Sequence, residues 1–443
     1  MKRLPIVAIF AATLCGAWAA PAPSTKPNII LILADDLGIG NVGCYGADHF
    51  KTPRIDALAR GGIRFEHCYS QPLCGPSRAQ LLTGRYAFRT GMTGNDSGPL
   101  IKPENEIMIP RVLKPAGYVT ASVGKWNQLD LQPGDFGFDE YFRFQNSGVY
   151  WTEQGRKITY TTNGKTTDLK DKQYMPDLLH NFVVDFITRH KDQPFFVYYP
   201  MSHVHRNVPA LGMLPTPDSA PDSKDLFGDN IAYMDKLVGK LVDELDRLTL
   251  REKTLLLFVG DNGTANTESE VSTVRGRRIS GHKGDMLEGG SLVPMIANWP
   301  GVVPAGKISQ SLMDFSDFLP TLAEIAGAPL PSGVTIDGRS FAPELRGQSV
   351  RPREWIFVEL GRHWYVRDAN WKLNERGELF DMRGAPFEEK LIAANSEPDT
   401  TATRKRLQSV LEQLNPAGGK VDPGDGSGRH DKQKKKARKK AKS

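Results

Sequence analysis

The sequence NIILILADD, residues 28–36, is the strongest indication of the fold in this 443-residue chain. Its first seven residues form a nearly continuous apolar run of strand length, and Asp35 and Asp36 follow at once. A strand that is buried on both faces has this pattern, whereas a strand with one face in solvent alternates apolar and polar residues. We therefore expect a strand inside a covered sheet, with two carboxylates just beyond its carboxyl end.

Further apolar runs of strand length recur along the chain and alternate with helical patterns. These runs lie at residues 118–123, 194–201, 254–260 and 292–298. A helix is predicted to begin at Pro53, with Thr52 as its cap and Gly61 as its stop, and a longer helical pattern spans residues 225–248. The alternation predicts an α/β sandwich.

Polar side chains follow four of the predicted strands. Beyond Asp35 and Asp36, these side chains are Lys125, His203, His205, Asp261 and Asn262. Ligands of open α/β sheets bind beyond the carboxyl ends of the strands, so we expect these groups to converge on one site. Asp35 and Asp36 at one strand end and Asp261 and Asn262 at another supply oxygen donors that suit Ca²⁺ or Mg²⁺. Either pair alone would ordinarily belong to a turn or a helix cap.

The sequence SQPLCGPSRAQLLTGRY, residues 70–86, places Cys74 among polar residues and prolines and not in an apolar run. Pro76 is positioned to begin a helix that stops at Gly84, which puts Cys74 just before the helix N-terminus. The free N–H groups and the dipole at such an end favour an anion and lower the pKa of a thiol. With Arg78 four residues further on, we expect a reactive, anion-binding position.

The first twenty residues have the order of a secretory signal peptide. Lys2 and Arg3 precede an apolar stretch that ends in small residues, and this stretch is short for a membrane span. We expect residues 1–20 to be removed and the protein to be exported to the periplasm or beyond; a membrane anchor is the alternative. The remaining length and the 39% hydrophobic composition allow one large domain with a smaller appendage.

The cysteines are consistent with one unpaired thiol. Cys15 leaves with the signal peptide, so Cys44, Cys68 and Cys74 remain. An odd number of cysteines in an oxidising compartment leaves at least one of them free. Whether Cys44 pairs with Cys68 stays open at this point, and Cys74 is the expected free thiol.

Positive charge is concentrated at the C-terminus. Of the formal net charge of +6, the last fifteen residues contribute +8 and the signal peptide +2, so the remaining body carries −4. We expect residues 418–443 to be a solvated, disordered basic tail. The alternative is that the tail contacts a polyanion, such as an anionic polysaccharide or membrane headgroups, with no specific nucleic acid partner.

The segment CGPSRAQLLTGR, residues 74–85, matches the signature of type I sulfatases at every specified position. The similarity continues through ADDLGIGNVGCYG, VGKW, FVGDNG and GHKGDMLEGG, over residues 27–345. The chain therefore resembles the formylglycine-dependent sulfatases of the alkaline phosphatase-like superfamily. This resemblance implies a large mixed, mostly parallel sheet sandwiched by helices in a catalytic domain at 27–350, followed by a small α+β subdomain at 351–417.

The resemblance also implies an exported enzyme that hydrolyses sulfate monoesters, with a sulfated carbohydrate as the expected substrate. In that family a maturation enzyme oxidises the signature cysteine to Cα-formylglycine, whose hydrate supplies the nucleophile. The implied ligands of Ca²⁺, with Mg²⁺ as the alternative ion, are Asp35, Asp36, Asp261, Asn262 and the modified Cys74. The implied catalytic and sulfate-binding residues are Arg78, Lys125, His205 and Lys283.

Two positions near the implied site bear on proton transfer. His205 aligns with the proton donor of the family, whereas His203 belongs to the end of the strand or the edge of the pocket. After GKW the family usually has a histidine that takes a proton from the diol, but this chain has Asn127, which cannot act as a base near neutral pH. We expect either slower turnover or a substitute base such as His282.

The C-terminal part is expected to form a small antiparallel sheet over residues 353–383 and a closing helix over 401–414. We expect three tryptophans there to pack against the subdomain, with sugar stacking as the alternative. They are Trp355, Trp364 and Trp371. Substrate specificity is expected to come from this wall and from the loops at 145–175 and 206–224.

Two other functions compete with the sulfatase interpretation. The first is a phosphomonoester or phosphonate ester hydrolase, because related metal sites act on tetrahedral phosphorus anions. The second is a secreted polyanion-binding protein that has lost catalysis at Asn127 and uses its basic tail.

Overall fold

The structure is a computed structural model that describes residues 26–126, 129–152, 157–207, 212–349, 351, 353–393, 398–420 and 424–429. The predicted signal peptide, Asn127 and the basic run after Arg429 lie outside the described residues. Among the helices that are described, none combines the length and the hydrophobicity needed to cross a membrane.

Fifteen strands form two sheets in the described part of the chain. The large sheet contains β1 (Asn28–Ala34), β2 (Ile63–Tyr69), β3 (Val119–Lys125), β4 (Glu140–Phe144), β5 (Thr159–Thr162), β6 (Lys165–Asp168), β7 (Phe195–Pro200), β8 (Thr254–Gly260), β9 (Leu292–Asn298) and β10 (Lys307–Asp314). The small sheet contains β11 (Ile356–Leu360), β12 (His363–Arg367), β13 (Trp371–Asn374), β14 (Leu379–Asp381) and β15 (Lys390–Ile392). All five apolar runs predicted as strands are strands of the large sheet.

The large sheet is mixed and mostly parallel, as expected. Its strand order is β10-β2-β9-β8-β1-β7-β3-β4-β5-β6. β9 runs antiparallel to both of its neighbours, β2 and β8, and β5 runs antiparallel to β4 and β6. β1 lies in the interior between β7 and β8 and is parallel to both.

Both faces of β1 are buried, which explains its continuous apolar sequence. Ile30 and Ile32 point into one core and Leu31 and Leu33 into the other, and all four are fully buried. Because successive side chains of a strand point to opposite faces, each of the two faces needs its own layer of helices. The sheet is therefore the middle layer of a three-layer sandwich.

Helices cover the two faces of the sheet. The α-helices of the described residues are α1 (Pro53–Arg60), α2 (Cys74–Thr83), α3 (Ala87–Thr90), α4 (Ile109–Leu113), α5 (Met175–Arg189), α6 (Leu226–Arg247), α7 (Asn266–Ser269), α8 (Glu288–Ser291), α9 (Phe318–Ala326), α10 (Ala342–Leu345) and α11 (Pro398–Leu414), the last of which covers the small sheet. Buried residues of α1, α5 and α6 belong to one core, and those of α2, α4 and α9 belong to the other.

The predicted limits of α1 are confirmed, and Thr52 occupies the N-cap position as predicted, although its side chain does not cap the helix. The helix begins at Pro53, and Gly61 follows its last residue. The Thr52 side chain makes no hydrogen bond to a helix N–H. Its hydroxyl instead donates to a carboxylate oxygen of Asp56 at 3.0 Å and accepts from the backbone N–H of Gly43 at 2.9 Å.

The C-terminal residues form the small sheet and its covering helix. The five strands β11–β15 are antiparallel throughout, and α11 packs on β12 and β13. Trp355, Trp364 and Trp371 pack against the apolar cluster of this subdomain, in accordance with the packing role expected for them. The cluster also includes Tyr86 and Phe88, which joins the small sheet to the segment after α2.

Residues 418–420 and 424–429 differ from the predicted disordered tail. The carbonyl oxygen of Gly428 accepts a hydrogen bond from the backbone N–H of Asn95 at 3.0 Å. A Cβ atom added to Gly94 would lie 2.5 Å from that same oxygen, so the glycines allow this close packing. The glycine-rich sequence that suggested a flexible linker thus packs against Gly94 and Asn95, and a tail boundary at 418 is too early.

The three cysteines of the described chain, Cys44, Cys68 and Cys74, are all free thiols. The pairing of Cys44 with Cys68 that the sequence left open is therefore not formed. Cys68 is buried in β2, whereas Cys44 lies half-buried in a short helical turn near α1.

Because both faces of β1 are buried, we expect its side chains to contribute strongly to the free energy of unfolding. Leu31→Ala should lower the free energy of unfolding by about 3 kcal/mol, because it removes a fully buried side chain from the core. Ile308→Ala on the edge strand β10, where the side chain is 52% exposed, should change it by less than about 0.5 kcal/mol. Equilibrium unfolding in urea measures both, and equal losses would contradict the covered position of β1.

Candidate active site

Two neighbouring strand ends bring the predicted acidic residues together. β1 and β8 pair in parallel up to their last residues, so the residues that follow them leave the sheet side by side. The backbone N–H of Asp36 donates to the carboxylate of Asp261 at 2.9 Å, and the side-chain amide of Asn262 donates to Asp36 at 2.9 Å. Asp35 lies in the same cluster, and all four side chains are buried.

The backbone turns sharply between the two aspartates. Neighbouring residues of an extended strand point to opposite faces, yet Asp35 and Asp36 both contribute a carboxylate to one cluster. Asp36 has a φ of 60°, in the left-handed region that costs energy for a residue other than glycine. This turn aims the second carboxylate at the same site as the first.

Cys74 is the first residue of α2, which differs slightly from the predicted position just before the helix. The helix ends at Gly84, as predicted, with a φ of 69° at that glycine. The Cys74 sulfur and one carboxylate oxygen from each of Asp35 and Asp36 all lie within 4.8 Å of one another. The candidate nucleophile position therefore adjoins the carboxylates, as the sequence predicted.

The Cys74 thiol is not activated in this environment, contrary to expectation. Burial raises the pKa of Cys74 above its ordinary value, although Lys125 and Lys283 act in the opposite direction. Asp261 and Asp35 add to the increase, because negative charge nearby disfavours a thiolate. The helix N-terminus and the lysines do not overcome the cost of burying a charged sulfur, so the lowered pKa expected for Cys74 is not found.

Three cationic side chains neutralise the carboxylates. Arg78 reaches across from α2 and donates to Asp261 at 2.7 Å. Lys125, fully buried at the end of β3, donates to both carboxylate oxygens of Asp35 at 2.7 and 2.8 Å. Lys283 lies in the loop after α7, and its ammonium donates to Asp36 at 2.5 Å. The structure thus brings every predicted cation to the carboxylate cluster.

These pairs determine the charge states in the cluster. Burial alone would raise the pKa of Asp36, but Lys283, His205 and Lys125 together hold it well below its usual range. Burial would likewise lower the pKa of Lys283, and the charge of Asp36 raises it instead. Both groups are therefore charged over the physiological pH range, and the ammonium keeps its positive charge at the site.

The donor set fits a hard divalent cation. The Oδ1 of Asn262 is buried without a hydrogen-bond partner among the described residues, while its Nδ2 donates to Asp36 and to the Gly263 carbonyl. A buried acceptor without a partner costs about 1–3 kcal/mol, so this oxygen is suited to a ligand. Carboxylate and amide oxygens are the donors that Ca²⁺ and Mg²⁺ prefer.

Of the two histidines after β7, His205 faces the cluster and His203 does not. His205 Nε2 lies 3.6 Å from a carboxylate oxygen of Asp36, and its Nδ1 lies 2.6 Å from the Arg206 carbonyl. Burial lowers the pKa of His205 to about 3, so the free protein holds it neutral with Nδ1 as the donor. His203 is buried elsewhere, with Nε2 at 3.0 Å from the Tyr174 hydroxyl.

The proposed substitute base, His282, lies beside the lysine loop. Its Nε2 is 3.3 Å from a carboxylate oxygen of Asp285, and its Nδ1 is 3.0 Å from the Lys283 carbonyl. It is partly exposed, and among the described residues it forms no hydrogen bond or ion pair with Cys74, Asp35 or Asp36. Asn127 lies outside the described residues.

Sequence reasoning missed two residues that hold the site in place. Asn95 accepts a hydrogen bond from the backbone N–H of Gly75, next to Cys74, at 3.0 Å. The hydroxyl of Tyr150 donates to the carbonyl of His205 at 2.8 Å and lies 3.1 Å from that of Ser202. Both act through backbone atoms of residues far away in the sequence, and no local pattern marks such contacts.

Comparison with known proteins agrees with this geometry. The sequence model of the Sulfatase family matches residues 27–328. N-acetylgalactosamine-6-sulfatase from Canis lupus familiaris is 33% identical, over 84% of this chain and 77% of the relative. Arylsulfatase A from Homo sapiens is 34% identical, over 76% of this chain and 71% of the relative.

A solved structure described as Ps i-CgsB in complex with k-i-k-neocarrahexaose has a TM-score of 0.74 and 28% sequence identity. The match covers 88% of this chain and 93% of that chain. The residues matched by the family model include β1 and β8, which carry the carboxylates, and α2. The chain belongs to the sulfatase family, the formylglycine-dependent type I enzymes of the alkaline phosphatase-like superfamily, and is a sulfuric ester hydrolase.

Proposed function

We propose that this protein is an exported sulfatase that cleaves sulfate monoesters of a sulfated carbohydrate at residue 74, after conversion of Cys74 to Cα-formylglycine. One observation carries the proposal: the Cys74 sulfur lies within 4.8 Å of carboxylate oxygens of Asp35 and Asp36, and Lys125 and Lys283 donate to those two carboxylates. That arrangement places a reacting side chain, donors for a hard metal ion and positive charge for an anion at one point.

The chemistry of a sulfate monoester explains why such a site is needed. The anion repels an incoming nucleophile, so a catalyst must place positive charge on the non-bridging oxygens and hold the nucleophile in line. Lys125 and Lys283 already donate to Asp35 and Asp36. An ammonium has three donors, so each lysine can also hold a sulfate oxygen while keeping its carboxylate partner.

The unmodified chain lacks a nucleophilic hydroxyl pair and a metal ion, which formylglycine and a bound cation would supply. A hydrated formylglycine would supply one hydroxyl to attack sulfur and a second one whose deprotonation releases sulfate, and a Ca²⁺ or Mg²⁺ ion would polarise the reacting oxygens. The high pKa of the buried Cys74 thiol argues against thiolate catalysis and supports a precursor role. Asp35, Asp36, Asp261 and Asn262 would hold the ion.

The protein's own residues orient the site and move the proton. Arg78 is fixed by Asp261 and by the carbonyl of Lys125, to which it donates at 3.2 Å, so its guanidinium anchors the residue-74 turn against the cluster. His205 has its Nδ1 occupied by a carbonyl, so Nε2 is the atom that faces the substrate. An arriving sulfate adds negative charge beside this imidazole and raises its pKa, which lets Nε2 protonate the leaving alcohol.

The carbohydrate substrate and the export are proposed on separate grounds. One relative is named N-acetylgalactosamine-6-sulfatase, and one structural neighbour is described with a bound neocarrahexaose. These names support a sulfated sugar as the substrate class here. The signal-like residues 1–20 support export, which would give the enzyme access to extracellular polysaccharide.

The enzyme produced together with a formylglycine-generating maturation enzyme should hydrolyse nitrophenyl sulfate faster than nitrophenyl phosphate. Cys74→Ala should lower kcat/KM for the sulfate by about 10³-fold or more, because it removes the nucleophile. Cys68→Ala, which changes a buried thiol in β2, is the matched control and should keep activity. A preference for the phosphate ester would reject the sulfatase assignment.

Calcium binding should depend on Asn262. Asn262→Ala removes the unpaired buried oxygen and should weaken Ca²⁺ binding by at least about tenfold, measured by calorimetry on the metal-free protein. Asn230→Ala in α6 is the control, because its Oδ1 is likewise buried without a partner among the described residues. Equal Ca²⁺ affinity of the two variants would show that Asn262 is not a ligand.

The role of His205 should depend on the leaving group. His205→Gln should lower kcat by about 10²-fold for a carbohydrate sulfate and by less for nitrophenyl sulfate, whose good leaving group needs no proton. His203→Gln loses the contact with Tyr174 but should affect both substrates by the same factor. If His205→Gln also affects the two substrates equally, another group donates the proton.

A further inference from the structure

The loop that carries His205 is attached to two of the strand ends that form the site. The backbone N–H of Val204 donates to the carbonyl of Asp35 at 2.6 Å, and the N–H of Asp35 donates to the carbonyl of His203 at 2.7 Å. These bonds join the loop to the end of β1. The side chain of Arg206 joins the same loop to the segment that follows β8.

The guanidinium of Arg206 reaches α7, the short helix that follows Asp261 and Asn262 along the chain. Its Nη1 donates to the hydroxyl of Thr267 at 3.0 Å, and its Nε lies 3.0 Å from a carboxylate oxygen of Glu268. The loop of the proposed proton donor is therefore held from the side of the proposed metal ligands.

The carboxylate of Glu268 is buried beneath this guanidinium. The side chain of Glu268 is 8% exposed, whereas that of Arg206 is 33% exposed. The second carboxylate oxygen, Oε2, has no hydrogen-bond partner among the described residues. A glutamate is rarely buried unless it is paired, and a buried ion pair with an unsatisfied oxygen adds little to the free energy of unfolding. Stability alone therefore does not account for a carboxylate at this position.

The ion pair lies close to the carboxylate cluster. Burial raises the pKa of Glu268, and the charge of Arg206 acts in the opposite direction. Asp36 and Lys283 cause smaller shifts of opposite sign, which shows that Glu268 is within electrostatic range of the cluster.

Arg206 also fixes the orientation of the His205 ring. Its carbonyl oxygen lies 2.6 Å from Nδ1, and because a carbonyl can only accept, Nδ1 carries the proton. The ring then presents Nε2 to the cluster, at 3.6 Å from Asp36. The N–H of Asn207, in the same peptide unit as this carbonyl, donates to the carbonyl of Gly212 at 2.9 Å. A shift of the backbone at residue 206 would therefore move the ring or release it.

We propose that Glu268, acting through Arg206, is a positioning residue for the proton donor His205. The carboxylate holds the guanidinium against α7, which fixes the backbone at residue 206. The carbonyl of that residue then holds the imidazole with Nε2 toward the leaving group. This inference rests on the proposed sulfatase function and adds a residue to its proton-transfer step.

The first test compares two aryl sulfates with the matured full-length enzyme. Glu268→Gln should lower kcat/KM by about tenfold for phenyl sulfate and by less than about twofold for nitrophenyl sulfate. The two esters are similar in size, but phenolate needs a proton on leaving more than nitrophenolate does. Arg206→Gln should have the same selective effect, because it breaks the pair from the other side. The control is Glu270→Gln, which changes an exposed carboxylate beside Arg278 and should match the wild type.

A double-mutant cycle separates positioning of His205 from a general structural effect. In the His205→Gln background, Glu268→Gln should cause no further loss for phenyl sulfate, because the group that it positions is absent. A further loss of similar size in that background would show that Glu268 acts by another route. Equal losses for the two esters in Glu268→Gln alone would likewise reject the inference.

Nitrogen NMR of the full-length protein with labelled histidines measures the state of the ring without turnover, and His205→Gln identifies its signals. The wild type and Glu270→Gln should show the tautomer with the proton on Nδ1. Glu268→Gln and Arg206→Gln should show a mixture with the other tautomer. An unchanged tautomer in both variants would overturn the inference even if their activity falls. A wild type that hydrolyses neither ester, with the tautomer shifted in both variants, would count against the sulfatase function and not against the role of Glu268.

Discussion

The site depends on the neutralisation of three buried aspartates at the edge of one sheet. Asp35, Asp36 and Asp261 come from adjacent strand ends, and carboxylates buried this close together would repel one another strongly. Arg78, Lys125 and Lys283 each pair with one of them. Burying charge is costly unless it is paired and hydrogen bonded, so these ion pairs are a condition for the fold as well as for the chemistry.

The same constraint explains the chemical character of residue 74. It lies at the start of a fully buried helix, beside carboxylates that disfavour a thiolate and cations that favour an anionic ligand. An unmodified thiol is poorly suited to act there, while a neutral, hydrated group beside a metal ion is well suited. The environment that disfavours a thiolate at residue 74 thus suits its neutral, oxidised form and the binding of an anionic sulfate group.

Much of the fold and the site could be predicted because local patterns determine them. The apolar runs predict buried strands, and polar residues after strand ends predict a shared site, as Asp35 and Asp261 show. The thiol pKa at Cys74 was predicted wrongly, because burial is set by tertiary packing that a helix-end argument leaves out. Asn95 and the packing of residues 424–429 were missed for a related reason: each depends on contacts between segments that are distant in sequence.

The chemical form of residue 74 can be read from the protein by peptide mass spectrometry. The peptide that contains residues 70–85 should be analysed from protein made with and without a formylglycine-generating enzyme. We expect co-expression to replace the CH₂SH group of Cys74 by an aldehyde, with hydrolytic activity rising in proportion to the converted fraction. Full sulfatase activity in protein whose Cys74 remains an unmodified thiol would contradict the account.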